Sequence, residues 1–102
     1  NHHAHDNEIQ SMGEVFLAET VFDWKKLVEV FECLPKDSVV RAKGVFRVGK
    51  MWQLYQWVGG NLTREPIAHR RDSRYEVLYN QSLNESALEG LQKQIQLAIK
   101  SL

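Results

Sequence analysis

The chain has 102 residues, and its composition, 43% hydrophobic and 25% charged, is that of a globular protein with room for one core. Thirteen basic residues balance thirteen acidic ones, so no net charge draws the whole chain to nucleic acid or to an anionic membrane. A single cysteine, Cys33, excludes an intrachain disulfide, and no apolar run is long enough for a signal peptide or a membrane span. We therefore expect a cytoplasmic domain.

The first twelve residues form a polar segment, which we interpret as a linker or tail. The chain opens on Asn1 rather than on methionine, which is typical of a piece of a longer protein. Three imidazoles and a carboxylate, which are ligand types that zinc and cobalt accept, fall within five positions: His2, His3, His5 and Asp6. Without fixed geometry they predict only weak, exchangeable metal binding. A purification-tag remnant is the alternative, although Ala4 interrupts the histidine run.

The next part of the chain predicts a strand followed by a helix. Residues 14–19 form a short apolar run typical of a strand. Asp23 is a suitable N-cap, and Pro35 ends the helical pattern. Between them, apolar residues recur at helical spacing: Trp24, Leu27, Val28, Phe31 and Leu34. Cys33 falls near the C-terminal end of this helix, where the dipole disfavours a thiolate, so we expect an inert or half-buried thiol.

Two strands joined by a hairpin follow. Val39–Val48 alternates, with Val40, Gly44 and Phe46 predicted to face the helices. Gly49 and Lys50 predict a tight turn into Met51–Val58. The opposite side of the two strands is expected to carry cations and large aromatic rings, namely Arg41, Lys43, Arg47, Tyr55 and Trp57.

After the hairpin, the pattern of apolar and polar residues is irregular until residue 74. Pro66 and a run of charges make residues 62–73 an irregular connection or a broken edge strand. Residues 74–79 alternate as a strand, and Asn84 caps a final helix. The prediction is an α+β fold: a mainly antiparallel sheet of about four strands with two helices on one face.

The uncovered face of that sheet is the predicted binding surface. Arginine and aromatic residues are enriched at the centres of protein interfaces, so we interpret the five residues there as a protein-docking face. The alternative is an ordinary solvent face, on which the stems of Arg41 and Lys43 cover the rings.

Catalytic motifs are missing from the sequence. No G-x-x-x-x-G-K-[ST] phosphate loop occurs, and three of the four histidines lie in the tail, leaving His69 without a triad. We expect no enzymatic activity from this chain.

The segment Arg41-Ala42-Lys43-Gly44, preceded by Leu34-Pro35, resembles the corresponding strand of the CobW C-terminal domain. Trp52 to Gly59 and residues 74–79 are similar to the family's next strand and to the strand before its last helix, so the resemblance covers residues 13–102. It implies a parent protein that is a GTP-dependent metallochaperone with an N-terminal GTPase domain. That domain would bind the GTP, and a metalloprotein client would receive cobalt, zinc or a similar metal.

Two other functions remain open at this point. One is single-stranded nucleic-acid binding, because Lys43 to Val48 is distantly similar to an RNA-recognition strand and Tyr55 and Trp57 are suited to stacking on bases. Zero net charge argues against it. The other is a free-standing metal-binding protein that uses the tail.

Overall fold

The structure, a computed structural model, describes residues 8–100. Its elements are, in chain order, β1 (Gln10–Leu17), α1 (Trp24–Glu32), β2 (Val39–Val48), β3 (Met51–Val58), β4 (Asn61–Ile67), β5 (Asp72–Tyr79) and α2 (Glu85–Leu97). The strands form one sheet in the order β1-β5-β2-β3-β4, and all four neighbouring pairs are antiparallel. The predicted α+β class is confirmed, with five strands in place of about four.

The additional strand is β4, which lies where an irregular connection or a broken edge strand was predicted. It pairs with β3 from Asn61, opposite Val58, to Ile67, opposite Trp52. Gly59 and Gly60 make the turn between the two strands. Their φ angles are 58° and 91°, which residues other than glycine rarely adopt. Because β4 is a mostly exposed edge strand, it has no alternating apolar pattern, and an edge also tolerates Pro66.

The hairpin of β2 and β3 is at the centre of the sheet. Its turn has Gly49 at φ 84°, and Val48 lies opposite Met51. At the start of β2 the register with β5 shifts between Val39 and Arg41. This bulge turns Val39 inward, with 3% of its surface exposed, and leaves Val40 42% exposed. The prediction that Val40 faces the helices is therefore wrong, since alternation alone does not reveal an inserted residue.

Both helices begin at the predicted caps. The Asp23 side chain accepts a hydrogen bond from the Lys25 amide at 2.9 Å, and the Asn84 side chain accepts one from the Ala87 amide at 2.8 Å. Each cap satisfies an amide that has no partner within its helix. Neither helix is long and apolar enough to cross a membrane, and no other helix occurs in residues 8–100.

The core lies between the helices and one face of the sheet, which we call the inner face. Leu27 and Phe31 of α1 and Ile95 of α2 are buried against it. The Phe46 ring is at the centre, 4.9 Å from the Phe22 ring and 5.5 Å from the Tyr55 ring, both edge to face. Because both helices pack against the inner face, neither helix covers the opposite face of the sheet.

Candidate functional site

The uncovered side of the sheet, here called the open face, is the candidate site. Strand pairing assigns alternate residues to it, because residues directly opposite each other in neighbouring strands share a face. The central strands contribute Arg41, Lys43, Val45, Arg47, Trp52, Leu54, Gln56 and Val58. The flanking strands β1 and β5 contribute Ser11, Gly13, Val15, Leu17, Asp72, Arg74, Glu76 and Leu78.

Two of the predicted docking residues lie on the open face with free side chains. Arg41 and Lys43 are both exposed. Arg74 and Asp72 form the one ion pair found within residues 8–100, so neither Arg41 nor Lys43 has a carboxylate partner there. Both cations are therefore available to a partner surface.

Arg47 also lies on this face, but the rest of the fold already uses its guanidinium. Nε donates to the carbonyl oxygen of Gly49 at 2.9 Å, and Nη1 donates to the carbonyl oxygen of Ala18 at 3.1 Å. Arg47 thus holds the turn that follows β1 against the central hairpin. Because these two donors stabilise the fold, fewer N–H groups of Arg47 are left to bind a partner.

Tyr55 and Trp57 are on the inner face, which corrects their predicted position. They are 0% and 1% exposed, and they lie opposite Gly44 and Ala42. The signal was present in the sequence: a two-residue turn at Gly49 and Lys50 fixes the register and puts Tyr55 on the same side as Gly44. Apart from the bulge at the start of β2, each strand was assigned its two faces correctly, but the two strands were joined with the wrong faces together.

Aliphatic side chains supply the apolar part of the open face instead. Val15 is 61% exposed, Leu17 is 74% exposed and Val58 is 57% exposed. Val45 and Leu54 lie between them, half buried. Sequence reasoning missed Val15 and Leu17, because a short apolar run does not tell which of its residues face the core.

Trp52 is the one large ring on the open face, and it is already covered. It is 5% exposed, and the His69 ring lies against it with ring centroids 5.4 Å apart. His69 itself is exposed on the connection between β4 and β5. The indole therefore helps to hold that connection and offers little surface to a ligand.

The middle of the open face has a shallow depression of about 580 Å³, lined in part by Gly13, Lys43 and Glu76. Beside it, Arg74 donates from Nε and Nη2 to the two carboxylate oxygens of Asp72, at 2.9 and 2.7 Å. These bonds hold the pKa of the Asp72 carboxyl below its usual range. Positive and negative side chains therefore lie beside the aliphatic residues of the open face. A surface of this composition is suited to contact with another protein.

Tyr75 is among the residues that line this depression, but its side chain belongs to the core on the inner face, where it ties β1 to β5. Its hydroxyl donates to Glu14 and contacts the Met12 sulfur at 3.6 Å. Burial, reinforced by the hydrogen bond to Glu14, raises the pKa of Tyr75 well above its ordinary value. The hydroxyl stays protonated and acts as a structural donor.

A second concavity lies between the two helices. It encloses about 630 Å³ and is lined mainly by apolar residues, among them Val30, Leu34, Leu91 and Leu97. Cys33 is at its wall and is exposed, rather than half buried as expected. Nothing in the described part of the chain pairs with the thiol as a catalytic base would.

The described residues do not fit a resident metal. No group of three or more histidine, cysteine, aspartate or glutamate side chains is gathered anywhere in residues 8–100. The predicted ligands His2, His3, His5 and Asp6 lie outside the described residues.

Comparison with known proteins assigns a family and a fold. A family model described as "Cobalamin synthesis protein cobW C-terminal domain" matches residues 12–94. A Zn(II)-bound triple mutant of YjiA GTPase has the same fold, with a TM-score of 0.71 and 16% identity over 90% of this chain and 30% of that chain. Zn(II)-bound YjiA GTPase from E. coli has a TM-score of 0.66 and 19% identity over 85% of this chain and 29% of that chain. The chain thus spans less than a third of the length of either structure, and no curated protein matches it significantly.

Proposed function

Because the chain belongs to the family of cobalamin synthesis protein cobW C-terminal domains, we propose that it is the docking or regulatory domain of a CobW-like GTPase. The observation that carries this proposal is the open face, where the exposed Val58 lies opposite Arg41 and where, within residues 8–100, neither Arg41 nor Lys43 forms an ion pair. Catalysis and GTP binding belong to another domain of the parent protein. We place that protein in the cytoplasm.

The occupant that we propose for the open face is the GTPase domain of the same protein. The chain covers only 30% of a related GTPase structure, so a parent of that size has a large second part within reach. A tethered domain binds at high effective concentration, so a modest surface is enough. Since Arg41 and Lys43 have no carboxylate partner in residues 8–100, an acidic patch on the GTPase domain is the complementary surface.

Charge reversal on the open face tests this docking. We expect the double variant Arg41→Glu and Lys43→Gln, which avoids a carboxylate opposite Glu76, to bind the separately produced GTPase domain at least about tenfold more weakly than the wild type, because attraction becomes repulsion. Isothermal titration calorimetry at low salt measures the change. A matched control, Lys26→Glu with Lys93→Gln, makes the same charge change at exposed positions on the two helices.

Three results would overturn docking at this face. The first is no binding by the wild type at about 1 mM, the effective concentration that a short flexible linker gives. The others are equal weakening by both double variants and unchanged binding by the open-face variant. If the face binds a metalloprotein client and not the GTPase domain, the occupant that we propose is wrong. Trp57 is unsuitable for such a test because it is a core residue.

We also propose that the parent protein delivers a divalent metal such as zinc or cobalt, so that the metal is cargo. Support comes from the related GTPase structures, which are described as Zn(II)-bound. The contribution of this chain would come from His2, His3, His5 and Asp6, as a weak and exchangeable site.

Single-stranded nucleic-acid binding loses its main support. That alternative needs Tyr55 and Trp57 as exposed rings on which bases stack, and both rings are buried. We therefore do not propose it.

A further inference from the structure

We propose that the free edge of β1 pairs with the β1 edge of a second copy of this chain, giving one antiparallel sheet that runs through a two-fold dimer. This surface is distinct from the cationic part of the open face. A strand edge offers a row of unpaired backbone amides and carbonyls, which is a template for another strand.

The two edges of the sheet are built differently. At one edge, β4 carries Pro66 and the charged residues Arg64 and Glu65, features that oppose pairing with another chain. At the other edge, β1 has no proline and no lysine, and its one charged residue, Glu14, accepts a hydrogen bond from the Tyr75 hydroxyl of β5. It pairs with β5 in one unbroken register from Gln10 to Leu17. Within residues 8–100, no strand covers the outer side of β1. Only the β4 edge is protected.

Apolar side chains concentrate along the unprotected edge. Among the large hydrophobic residues that the structure describes, Leu17 is the most exposed, at 74%, and Val15 is 61% exposed. Ile9, one residue before β1, is 47% exposed. A long, regular and apolar edge strand is a site of strand addition unless something covers it.

The sequence of β1 is complementary to itself. In an antiparallel pair centred on Gly13, Leu17 lies opposite Ile9 of the second copy. Val15 then lies opposite Ser11, and Glu14 opposite Met12, so no like charges face each other. If the pair were centred on Glu14 instead, two carboxylates would lie directly opposite each other, which is destabilising. These pairings favour a second copy with Gly13 at the centre.

With a two-fold axis at Gly13, both copies use the same β1 edge for the contact. No β1 edge is then left free to bind a third copy. One strand pair is a small interface by the standards of stable complexes. The dimer should therefore be weak and should dissociate on dilution.

Sedimentation equilibrium of the 102-residue chain, from micromolar to near-millimolar concentration, tests the dimer. The edge variant is Val15→Lys with Leu17→Lys, since both residues are exposed and lysine is a natural edge protector. The matched control is Met51→Lys with Val58→Lys, which puts the same charges at exposed positions of β3, a strand paired on both sides. Circular dichroism checks that all variants remain folded.

We expect the wild type and the control to dimerise alike and the edge variant to stay monomeric. A wild type that remains monomeric at the highest concentration overturns the proposal. So does an edge variant that dimerises as well as the wild type. Loss of the dimer in the control as well would mean that sheet faces associate rather than edges, which also overturns it.

Disulfide trapping tests the register. In a Cys33→Ser background, Ser11→Cys with Val15→Cys should give a covalent dimer on oxidation, because the two positions lie opposite each other across the axis. Within one chain they are about 13 Å apart, too far for a disulfide. Val15→Cys alone should not cross-link. A covalent dimer from that single variant would place Val15 opposite Val15 and exclude the Gly13-centred register.

Discussion

Trp57 and Val58 are neighbours in β3 whose side chains meet opposite surroundings. The indole of Trp57 is in the core between the sheet and the helices, and Val58 is on the open face. We expect Trp57→Ala to lower the free energy of unfolding by about 3–5 kcal/mol, because it empties a large volume in the core. Val58→Ala should change it by less than about 0.5 kcal/mol. Urea denaturation measures both, and equal losses would contradict the register of the hairpin.

The packing of single residues also explains the segment Arg41-Ala42-Lys43-Gly44, on which the family resemblance rests. Its inward residues, Ala42 and Gly44, lie opposite Trp57 and Tyr55, so small residues face large rings across the hairpin. A Cβ on Gly44 would overlap the Phe46 ring, which would have to move to make room for it. The outward residues, Arg41 and Lys43, are not constrained by this packing. Packing therefore accounts for the two inward residues of the segment, and the two cations are left exposed.

At the scale of elements, each helix depends on a cap that the sequence identified. Asn84→Ala removes the acceptor for the Ala87 amide, and we expect a loss of about 1 kcal/mol in the free energy of unfolding. Ser86→Ala, two residues further on at an exposed position of α2, is the control and should cost much less. Thermal and urea denaturation compare the two. Equal effects would mean that the cap contributes little to α2.

The strands show which elements can be predicted from their own residues and which depend on the strand beside them. β2 and β3 were predicted with their observed bounds, because an alternating pattern and a Gly49 turn are local signals. β4 has no such pattern, since its hydrogen bonds to β3 hold it in place and its side chains are mostly exposed. The bulge at Val40 is likewise a consequence of pairing between β2 and β5.

At the scale of the whole molecule, metal binding should depend on the tail alone. We expect deletion of residues 1–6 to abolish zinc binding measured by calorimetry, because residues 8–100 gather no group of three ligands. The thermal midpoint without metal should be unchanged, since the buried core residues that the structure describes run from Phe22 to Ala98. His69→Ala is the control and should bind as the wild type does. Zinc binding with the same stoichiometry after the deletion would contradict a site in the tail.

The sequence by itself determined the α+β class, the helix caps, the central hairpin and the resemblance to CobW C-terminal domains. Periodicity, capping and turn residues act over a few positions, so they can be read locally. Only the tertiary structure decided which face of β3 meets the core, that Arg47 is held by the carbonyls of Ala18 and Gly49, and that β1 lies at an edge of the sheet formed by residues 8–100. Each of these depends on which strands lie side by side and in which register, and a one-residue change in pairing moves every side chain to the other face.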